Sequence, residues 1–363
     1  MKSQTRKESL AIVGTVGLPA NYGGWETLVE NIVGPLSDKF DVTVYCSAGR
    51  YTEQVECFSG AKLVYLKLDA NGVQSILYDI LSLWKSRRFD KVLILGTSGC
   101  IALPVFKVLF GCIYFLNIDG LEWKRQKWSK LAKAFLKISE YVGCKFSHYL
   151  ISDNAVITRY IKDSYDRDSE LIAYGGDSNK IAETVNIVSD QAIEDEYFFS
   201  VCRIEPENNT HLILEAFSKA TSKNLIFVGN WNSSEYGRSL QDQYSRFSNI
   251  TILDPIYDRS RLDSYRMNCK AYIHGHSAGG TNPSLVEAMS LNLPIFSFDV
   301  NFNRETTENC ALYFKSTCEL RDLLDTTDDC TLKGISEKMS EIASRRYTWQ
   351  AVSKSYVDFI SND

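Results

Sequence analysis

No two cysteines stand in a C-x-x-C pair, although ten occur among the 363 residues. Their scatter disfavours a zinc ribbon, a redox dithiol or a disulfide framework, and fits buried free thiols in a reducing cytosol. The amino terminus, MKSQTRKESLAIVG, lacks the apolar core of a signal peptide and runs straight into a strand pattern. A clear membrane span is also lacking. The nearest candidate, 101–118, is barely the length that a bilayer needs, about 20 residues. Pro104, Lys107 and Gly111 interrupt it. It reads as a buried helix from Pro104, a turn at Gly111 and a strand over 113–118, with a re-entrant segment as the alternative. Positive charge is not in excess: the net charge is −5, which argues against a dedicated nucleic-acid binder. No strong internal repeat and no low-complexity segment occurs. The dinucleotide fingerprint G-x-G-x-x-G is missing from the first glycine-rich loop, and no acidic residue ends a second strand as that fold requires.

What is present is ordinary for a soluble globular chain, with 44% hydrophobic and 23% charged residues. The length suggests two domains. Buried-strand patterns at 10–13, 42–46, 62–66, 91–95, 113–118 and 149–152 alternate with helical patterns. A second series follows a polar stretch: 197–201, 224–228, 250–253, 271–274, 294–298 and 312–314. Alternation of this kind predicts two α/β doubly wound parallel sheets, with a boundary near residue 180. The expected division is 1–180, 181–345 and a final helix in 346–363. Val352, Tyr356 and Ile360 would form that helix's buried stripe. Ligands of such sheets lie outside the carboxyl ends of the strands, so two facing sheets predict one cleft.

The most informative stretch is AYIHGHSAGGTNPSLVEAMSLNLPIFSFDV, 271–300. It reads as strand, glycine-rich loop, helix, strand. Gly275, Gly279 and Gly280 permit close backbone approach. Asn282 is a good N-cap and Pro283 suits the first helical position. Free N–H groups of Ser284 and Leu285 would face an anion such as a diphosphate. Glu287, one turn in, suits sugar hydroxyls rather than phosphate. His274 and His276 lie on one face of an extended segment. They would hydrogen-bond a sugar or be packed in the core; no further ligand nearby completes a zinc site.

Other candidates keep two readings. In GTVGLPANYGGWE, 14–26, Gly23 and Gly24 would let backbone approach a ligand, or form a plain turn. Glu26 binds a ligand or merely offsets the helix dipole. Arg203 follows a strand end, where its guanidinium would fork phosphate oxygens or pair with Glu205 or Glu207. In NIDGLEWKR, 117–125, Asp119 sits where catalytic groups collect, or forms an Asx turn before Gly120. Segment 121–150 holds seven Lys or Arg against two Glu, with Trp123 and Trp128 in it. It is either a surface for an anionic membrane or lipid diphosphate, or a solvated helix face. Asp166-Arg167-Asp168 reads as a solvated turn.

Taken as a set, GTVGLPANYGGWET, NIDGLEWKR, IAYGGD, RIEPENN and HGHSAGGTNPSLVEAM resemble bacterial retaining glycosyltransferases of the GT-B fold, family 4. Within them they are similar to the rhamnosyltransferase-type group of capsule, O-antigen and cell-wall polysaccharide synthesis. The resemblance spans nearly the whole chain. It implies that Glu287 binds the nucleotide ribose and Arg203 the donor diphosphate. It places Gly280, Thr281, Asn282, Pro283, Ser284 and Leu285 at the diphosphate and sugar. Gly23 and Gly24 would lie near donor and acceptor. Asp119, Gly120, Lys124 and Arg125 complete the candidate site, with Arg203, Asp119 and Glu287 as its catalytic candidates. The last helix would cross back onto the first domain. Gly279 stands where the wider family has a first glutamate, and Asn208 where it has a lysine. The lost cation falls to helix dipoles or to Lys124 and Arg125.

The implied function is a cytoplasmic hexosyltransferase, peripheral on the inner face of the membrane. It would move L-rhamnose from a deoxythymidine-diphosphate donor to a polyprenyl-diphosphate-linked saccharide, needing no cofactor and no metal. A uridine-diphosphate hexose donor, a nucleotide-sugar epimerase and a non-catalytic sugar-nucleotide module are the alternatives.

Overall fold

The computed structural model of the protein describes residues 6–21, 23–72, 74–118, 120–125, 128–177 and 196–362. It divides into two units, Met1–Tyr174 with Trp349–Asp363, and Gly175–Thr348. The expected boundary near residue 180 falls in 178–195, outside the described residues.

In the first unit β1 (Ser9–Val13) leads to α1 (Gly24–Lys39) and β2 (Asp41–Ser47). A short hairpin of β3 (Cys57–Phe58) and β4 (Ala61–Leu66) follows, then α2 (Gln74–Lys85) and β5 (Lys91–Leu95). Next come α3 (Leu103–Leu109), β6 (Ile113–Asn117), α4 (Lys130–Phe146), β7 (Tyr149–Ser152), α5 (Ala155–Tyr165) and β8 (Glu170–Leu171). The sheet order is β3-β4-β2-β1-β5-β6-β7-β8. All its pairs are parallel except β3 with β4. Leu10 to Val13 are fully buried, as a strand covered on both faces must be. Right-handed crossovers put a helix on the face set by the chain's direction across the sheet. From β1 to β2 the chain moves one way; from β4 through β8 it moves the other. So α2, α3, α4 and α5 share the face opposite α1.

The second unit contains β9 (Tyr197–Val201), α6 (Thr210–Lys219), β10 (Asn224–Val228), α7 (Glu235–Tyr244) and β11 (Ile250–Leu253). It continues with α8 (Arg259–Met267), β12 (Ala271–His274), α9 (Pro283–Ser290), β13 (Ile295–Phe298), α10 (Asn301–Thr306) and β14 (Leu312–Phe314). Helices α11 (Thr317–Thr326) and α12 (Asp329–Arg346) close it. The sheet is parallel, in the order β11-β10-β9-β12-β13-β14. Phe198, Phe217 and Phe296 meet edge to face at its centre, with centroids 5.6 and 5.8 Å from Phe198.

The last helix, α13 (Trp349–Ser361), belongs to the first unit. Val352, Tyr356 and Ile360 are buried. Asn117 Nδ2 donates to the Tyr356 hydroxyl at 2.9 Å, and the buried Lys91 Nζ donates to the Ile360 carbonyl at 2.7 Å.

Three expectations are corrected. The helix at Pro104 is not buried: Leu103 and Phe106 turn inward, but Val105, Val108 and Leu109 are exposed. Arg167 is not solvated. Its guanidinium donates to the carbonyls of Cys144 at 2.8 Å and His148 at 2.9 Å, so it closes the carboxyl end of α4. Five cysteines are buried, but Cys57, Cys318 and Cys330 are exposed; all ten are free thiols.

Candidate functional site

In the second sheet the strand order reverses between β9 and β12, with β10 and β11 on one side and β13 and β14 on the other. The carboxyl ends of the strands flanking such a switch point hold the ligands of open α/β sheets. The loop after β9 is RIEPENN, and the loop after β12 is GHSAGGTN. They are tied together. Asn209 Nδ2 donates to the Gly275 carbonyl at 2.8 Å. The Ser277 N–H and hydroxyl both donate to the Glu207 carbonyl, at 2.8 and 2.7 Å. Gly275 is obligatory: a Cβ there would lie 2.2 Å from the Asn208 carbonyl oxygen.

Arg203 emerges from this frame with 55% of its side chain exposed. Its distance to Glu205 is 4.0 Å, beyond hydrogen-bond reach, so the surface pair anticipated for it is weak. Asn208, at the position of the absent lysine, donates to the Arg203 carbonyl at 2.6 Å and braces the loop.

Asn282 caps α9 as expected, its Oδ1 accepting from the Ser284 N–H at 3.1 Å and hydroxyl at 2.8 Å. This corrects one expectation. The Ser284 N–H is taken by the cap and the Leu285 N–H donates to the Asn282 carbonyl at 3.1 Å, so neither is free. An anion here would compete with the cap or meet only the dipole. Leu285 and Thr281 are buried, while Gly280, Asn282, Pro283 and Ser284 are half-buried. Gly279 has φ +125°, and a Cβ there would meet nothing within 4 Å.

Glu287 is not a solitary carboxylate. Its Oε2 accepts from Arg266 Nη2 at 2.6 Å, and Arg259 Nη2 lies 3.8 Å from Oε1. Arg266, on α8, is only 3% exposed and also binds Asp263 at 2.9 Å. Gly176, of the IAYGGD motif, packs on α9 beside Glu287; a Cβ there would lie 2.3 Å from the Val286 carbonyl oxygen. Together Gly176, Asp177, Arg259, Asp263, Glu287, Ser290 and Leu291 line a small concavity. The sequence reading missed the α8 residues. Their signal was the Asp263–Arg266 spacing on a helix capped by Asp258, which is common on solvated faces.

The histidines separate. His274 is fully buried and both ring nitrogens are without a hydrogen-bond partner. Burial pushes its pKa down to about 3. His276 stacks on it at 4.5 Å and is half-buried. Of the two, only His276 presents surface to a ligand.

In the first unit the switch point lies between β1 and β5. Loop 14–23 leaves β1, and a second loop, 96–99, leaves β5; the sequence reading did not single out the latter. Glu26 is buried at the start of α1, where Oε1 accepts from the Val16 N–H at 2.7 Å and the Thr15 hydroxyl at 3.1 Å. Glu26 therefore braces the loop. Gly23, with φ +143°, faces it, and a Cβ there would fall 1.8 Å from Glu26 Oε2. Gly24 begins the helix. Below the second loop, Ser98 donates to the buried Asp79, whose pKa is raised to about 7 by burial. Beyond β6, Gly120 is buried and Lys124 exposed, and Arg125 pairs with Glu122 at 3.1 Å. Asp119 lies outside the described residues. Among the described residues no group of three or more His, Cys, Asp or Glu is placed to hold a metal.

Residues 7–177 match the family model described as Domain of unknown function (DUF1972). Residues 185–318 match that of Glycosyl transferases group 1. No curated protein matches the chain. Solved structures match over nearly its whole length. Sucrose-phosphate synthase (tll1590) from Thermosynechococcus elongatus superposes with a TM-score of 0.80 at 13% identity, covering 98% of this chain and 99% of that one. Anabaena Alr3699/HepE in complex with UDP-glucose gives 0.75 at 14% identity, covering 98% and 100%. The alpha,alpha-trehalose 6-phosphate synthase of Burkholderia multivorans gives 0.73 at 10%, covering 99% and 97%. The chain therefore has the GT-B glycosyltransferase fold, with the region that resembles glycosyl transferases group 1 in its second unit.

Proposed function

We propose that the protein is a nucleotide-sugar-dependent glycosyltransferase that takes a hexose from a uridine-diphosphate donor. The observation that carries this reading is the convergence, at one switch point, of Arg203, the capped start of α9 and the Arg266-held Glu287. A guanidinium and the positive end of a helix dipole suit a diphosphate. A fixed carboxylate one turn along suits ribose hydroxyls. Structures of similar fold are described in complex with UDP and UDP-glucose, which favours uridine. The acceptor is a saccharide carried on a polyprenyl diphosphate, which would bring the enzyme to the inner face of the cytoplasmic membrane.

Transfer with retention would come from attack on the leaving-group face, with charge stabilisation lowering the barrier. The acceptor hydroxyl attacks the anomeric carbon from the side of the leaving group. The bond from that carbon to the phosphate oxygen breaks, a new bond forms to the acceptor oxygen, and the departing phosphate oxygen takes the hydroxyl proton. Arg203 and the α9 dipole stabilise charge gathering on the diphosphate. His276 contacts the sugar.

One observation supports a second reading, a deoxythymidine-diphosphate rhamnose donor. Arg266 engages Glu287 Oε2, whereas Arg259 stays 3.8 Å from Oε1, beyond hydrogen-bond reach, so Oε1 can accept from one ligand hydroxyl, which is enough for the single ring hydroxyl of deoxyribose. Calorimetry with UDP and dTDP, followed by assay of labelled UDP-hexose and dTDP-rhamnose with a lipid-linked acceptor, separates the two. Tighter UDP binding and transfer from a UDP-hexose support uridine; preference for dTDP supports the second reading. An isomerised donor would make the protein an epimerase, and binding without turnover a non-catalytic module. Arg203→Ala and Glu287→Ala should each lower kcat/KM roughly 10- to 100-fold. Full activity in both variants would remove this site from the reaction.

A further inference from the structure

Of the exposed large apolar side chains among the described residues, only Tyr257 and Met267 belong to the second unit. Most of the others gather on α2, α3, α4 and the turn before α3, on one face of the first sheet. On α3 they are Val105, Val108 and Leu109; on α4 they are Leu131, Ile138 and Tyr141. Val108 and Leu131 are each 85% exposed. Residues 131, 134, 138 and 141 are all exposed, and their spacing forms one stripe along the outer side of α4. This reverses the usual pattern, in which a surface helix turns its polar face outward. The helices are neighbours: Trp84 of α2 packs its ring on Phe106 of α3 and on Phe110, at 6.2 and 5.6 Å. Protruding apolar side chains gathered on adjacent helices suit a binding surface better than chance exposure.

Charge identifies the partner. Residues 74–146 hold twelve Lys or Arg against five Asp or Glu, a net of +7 in a chain whose total is −5. Two of the five acids, Asp79 and Glu140, are buried, as is one of the twelve bases, Lys91. Lys107 and Lys130 are exposed beside Val108 and Leu131 in the sequence. Protein–protein interfaces are depleted in lysine, whereas lysines interleaved with protruding apolar side chains suit an anionic bilayer surface. Among the described residues no helix is long and apolar enough to cross a membrane, so the contact would be peripheral. We propose that the outer faces of α3 and α4, with the end of α2, dock on an anionic lipid bilayer. Its geometry stands alone; its purpose rests on the transferase reading, since it would deliver a lipid-linked acceptor to the first unit.

The test uses the full chain and vesicles of equal parts phosphatidylglycerol and phosphatidylethanolamine, with pure phosphatidylcholine as control, in a flotation assay. UDP affinity is measured in parallel. The wild type should float with the anionic vesicles, not with the neutral ones, and added salt should release it. The pairs Val108→Asp with Leu131→Asp, and Lys107→Glu with Lys130→Glu, should each cut the bound fraction at least about tenfold and leave UDP affinity unchanged. Failure of the wild type to float, or flotation indifferent to both pairs, overturns the proposal. So does self-association that the aspartate pair abolishes in a protein that ignores vesicles, because the face then belongs to a second copy. UDP binding without flotation overturns the surface and leaves the transferase reading standing. Flotation without UDP binding does the reverse.

Discussion

At the residue scale the contact between Arg266 and Glu287, 2.6 Å long, joins two groups that are costly to bury singly. Removing the guanidinium leaves Asp263 and Glu287 with only the exposed Arg259, 3.7 and 3.8 Å away and beyond hydrogen-bond reach, as a cation. Arg266→Met should therefore lower stability by about 3–5 kcal/mol, read as a shift in urea midpoint. Arg266→Lys is the sharper probe. An ammonium cannot fork to both carboxylates as a guanidinium does, so this variant should fold, yet bind UDP more weakly. If Arg266→Lys binds UDP as the wild type does, Arg266 only fills space.

Two buried titratable groups of opposite habit also belong to this scale, and they lie in different units. His274 has its pKa lowered to about 3 by burial. Below about pH 6.5 the unfolded chain takes up a proton that the folded unit refuses, so the second unit loses stability as pH falls from 6.5 towards 3. Asp79 has its pKa raised to about 7, again by burial. Above about pH 3.9 the unfolded chain releases a proton that the folded unit keeps, so the first unit loses stability as pH rises from 3.9 towards 7. Each effect is up to about 1.4 kcal/mol per pH unit. Hydrogen exchange at pH 4.5 and 7, corrected for intrinsic rates, should show the second unit better protected at pH 7 and the first better protected at pH 4.5. Replacing His274 by Gln, or Asp79 by Asn, should flatten the trend in its own unit alone.

At the scale of elements α9 combines a stop, a cap and a packed glycine. Asn282→Ala should cost about 1 kcal/mol through the lost cap. It also frees the Ser284 N–H, so phosphate contact at the helix start should not weaken in proportion to stability. Calorimetry with UDP beside thermal melting separates the two effects. Gly176→Ala acts differently. It drives a methyl into the Val286 carbonyl, and α9 or the segment before 178 must shift. A clear loss of UDP affinity is expected from a residue that is not a phosphate or ribose ligand.

Burial on both faces of a sheet leaves a mark in the sequence; short edge strands and unpartnered helix faces do not. The strands at 10–13, 42–46 and 271–274 were legible because a sheet covered on both faces demands unbroken apolar runs, here wholly or largely buried. The two-residue strands β3 and β8 carry no such demand and were not seen. A run such as ALPVFKVLF has apolar residues all round, which predicts a buried helix at α3. Its outer half is in fact exposed, and periodicity cannot distinguish an apolar face that packs from one that awaits a partner.

At the scale of the whole molecule α13 is distant in sequence from the unit that it completes. Truncation after Thr348 would strip the first unit of Val352, Tyr356 and Ile360 and leave the buried Lys91 without the Ile360 carbonyl. The first unit should then unfold at lower urea while the second keeps its hydrogen-exchange protection. Equal losses in both would show that the helix stabilises more than its own unit.

The sequence by itself determined the two parallel sheets, the loops that leave β1, β9 and β12, the Asn282 cap and the stripe of α13. Each of these depends on local period, local capping or a short motif. Tertiary structure alone decided which loops meet. It brought Asn209 to Gly275, Gly176 to α9 and Arg266 to Glu287, pairs joined by a sheet reversal or by helix packing rather than by spacing. It also decided burial, which placed His274 beneath His276 and turned Val108 and Leu131 outward. Burial depends on neighbours that are distant along the chain, so a one-dimensional pattern constrains it only weakly.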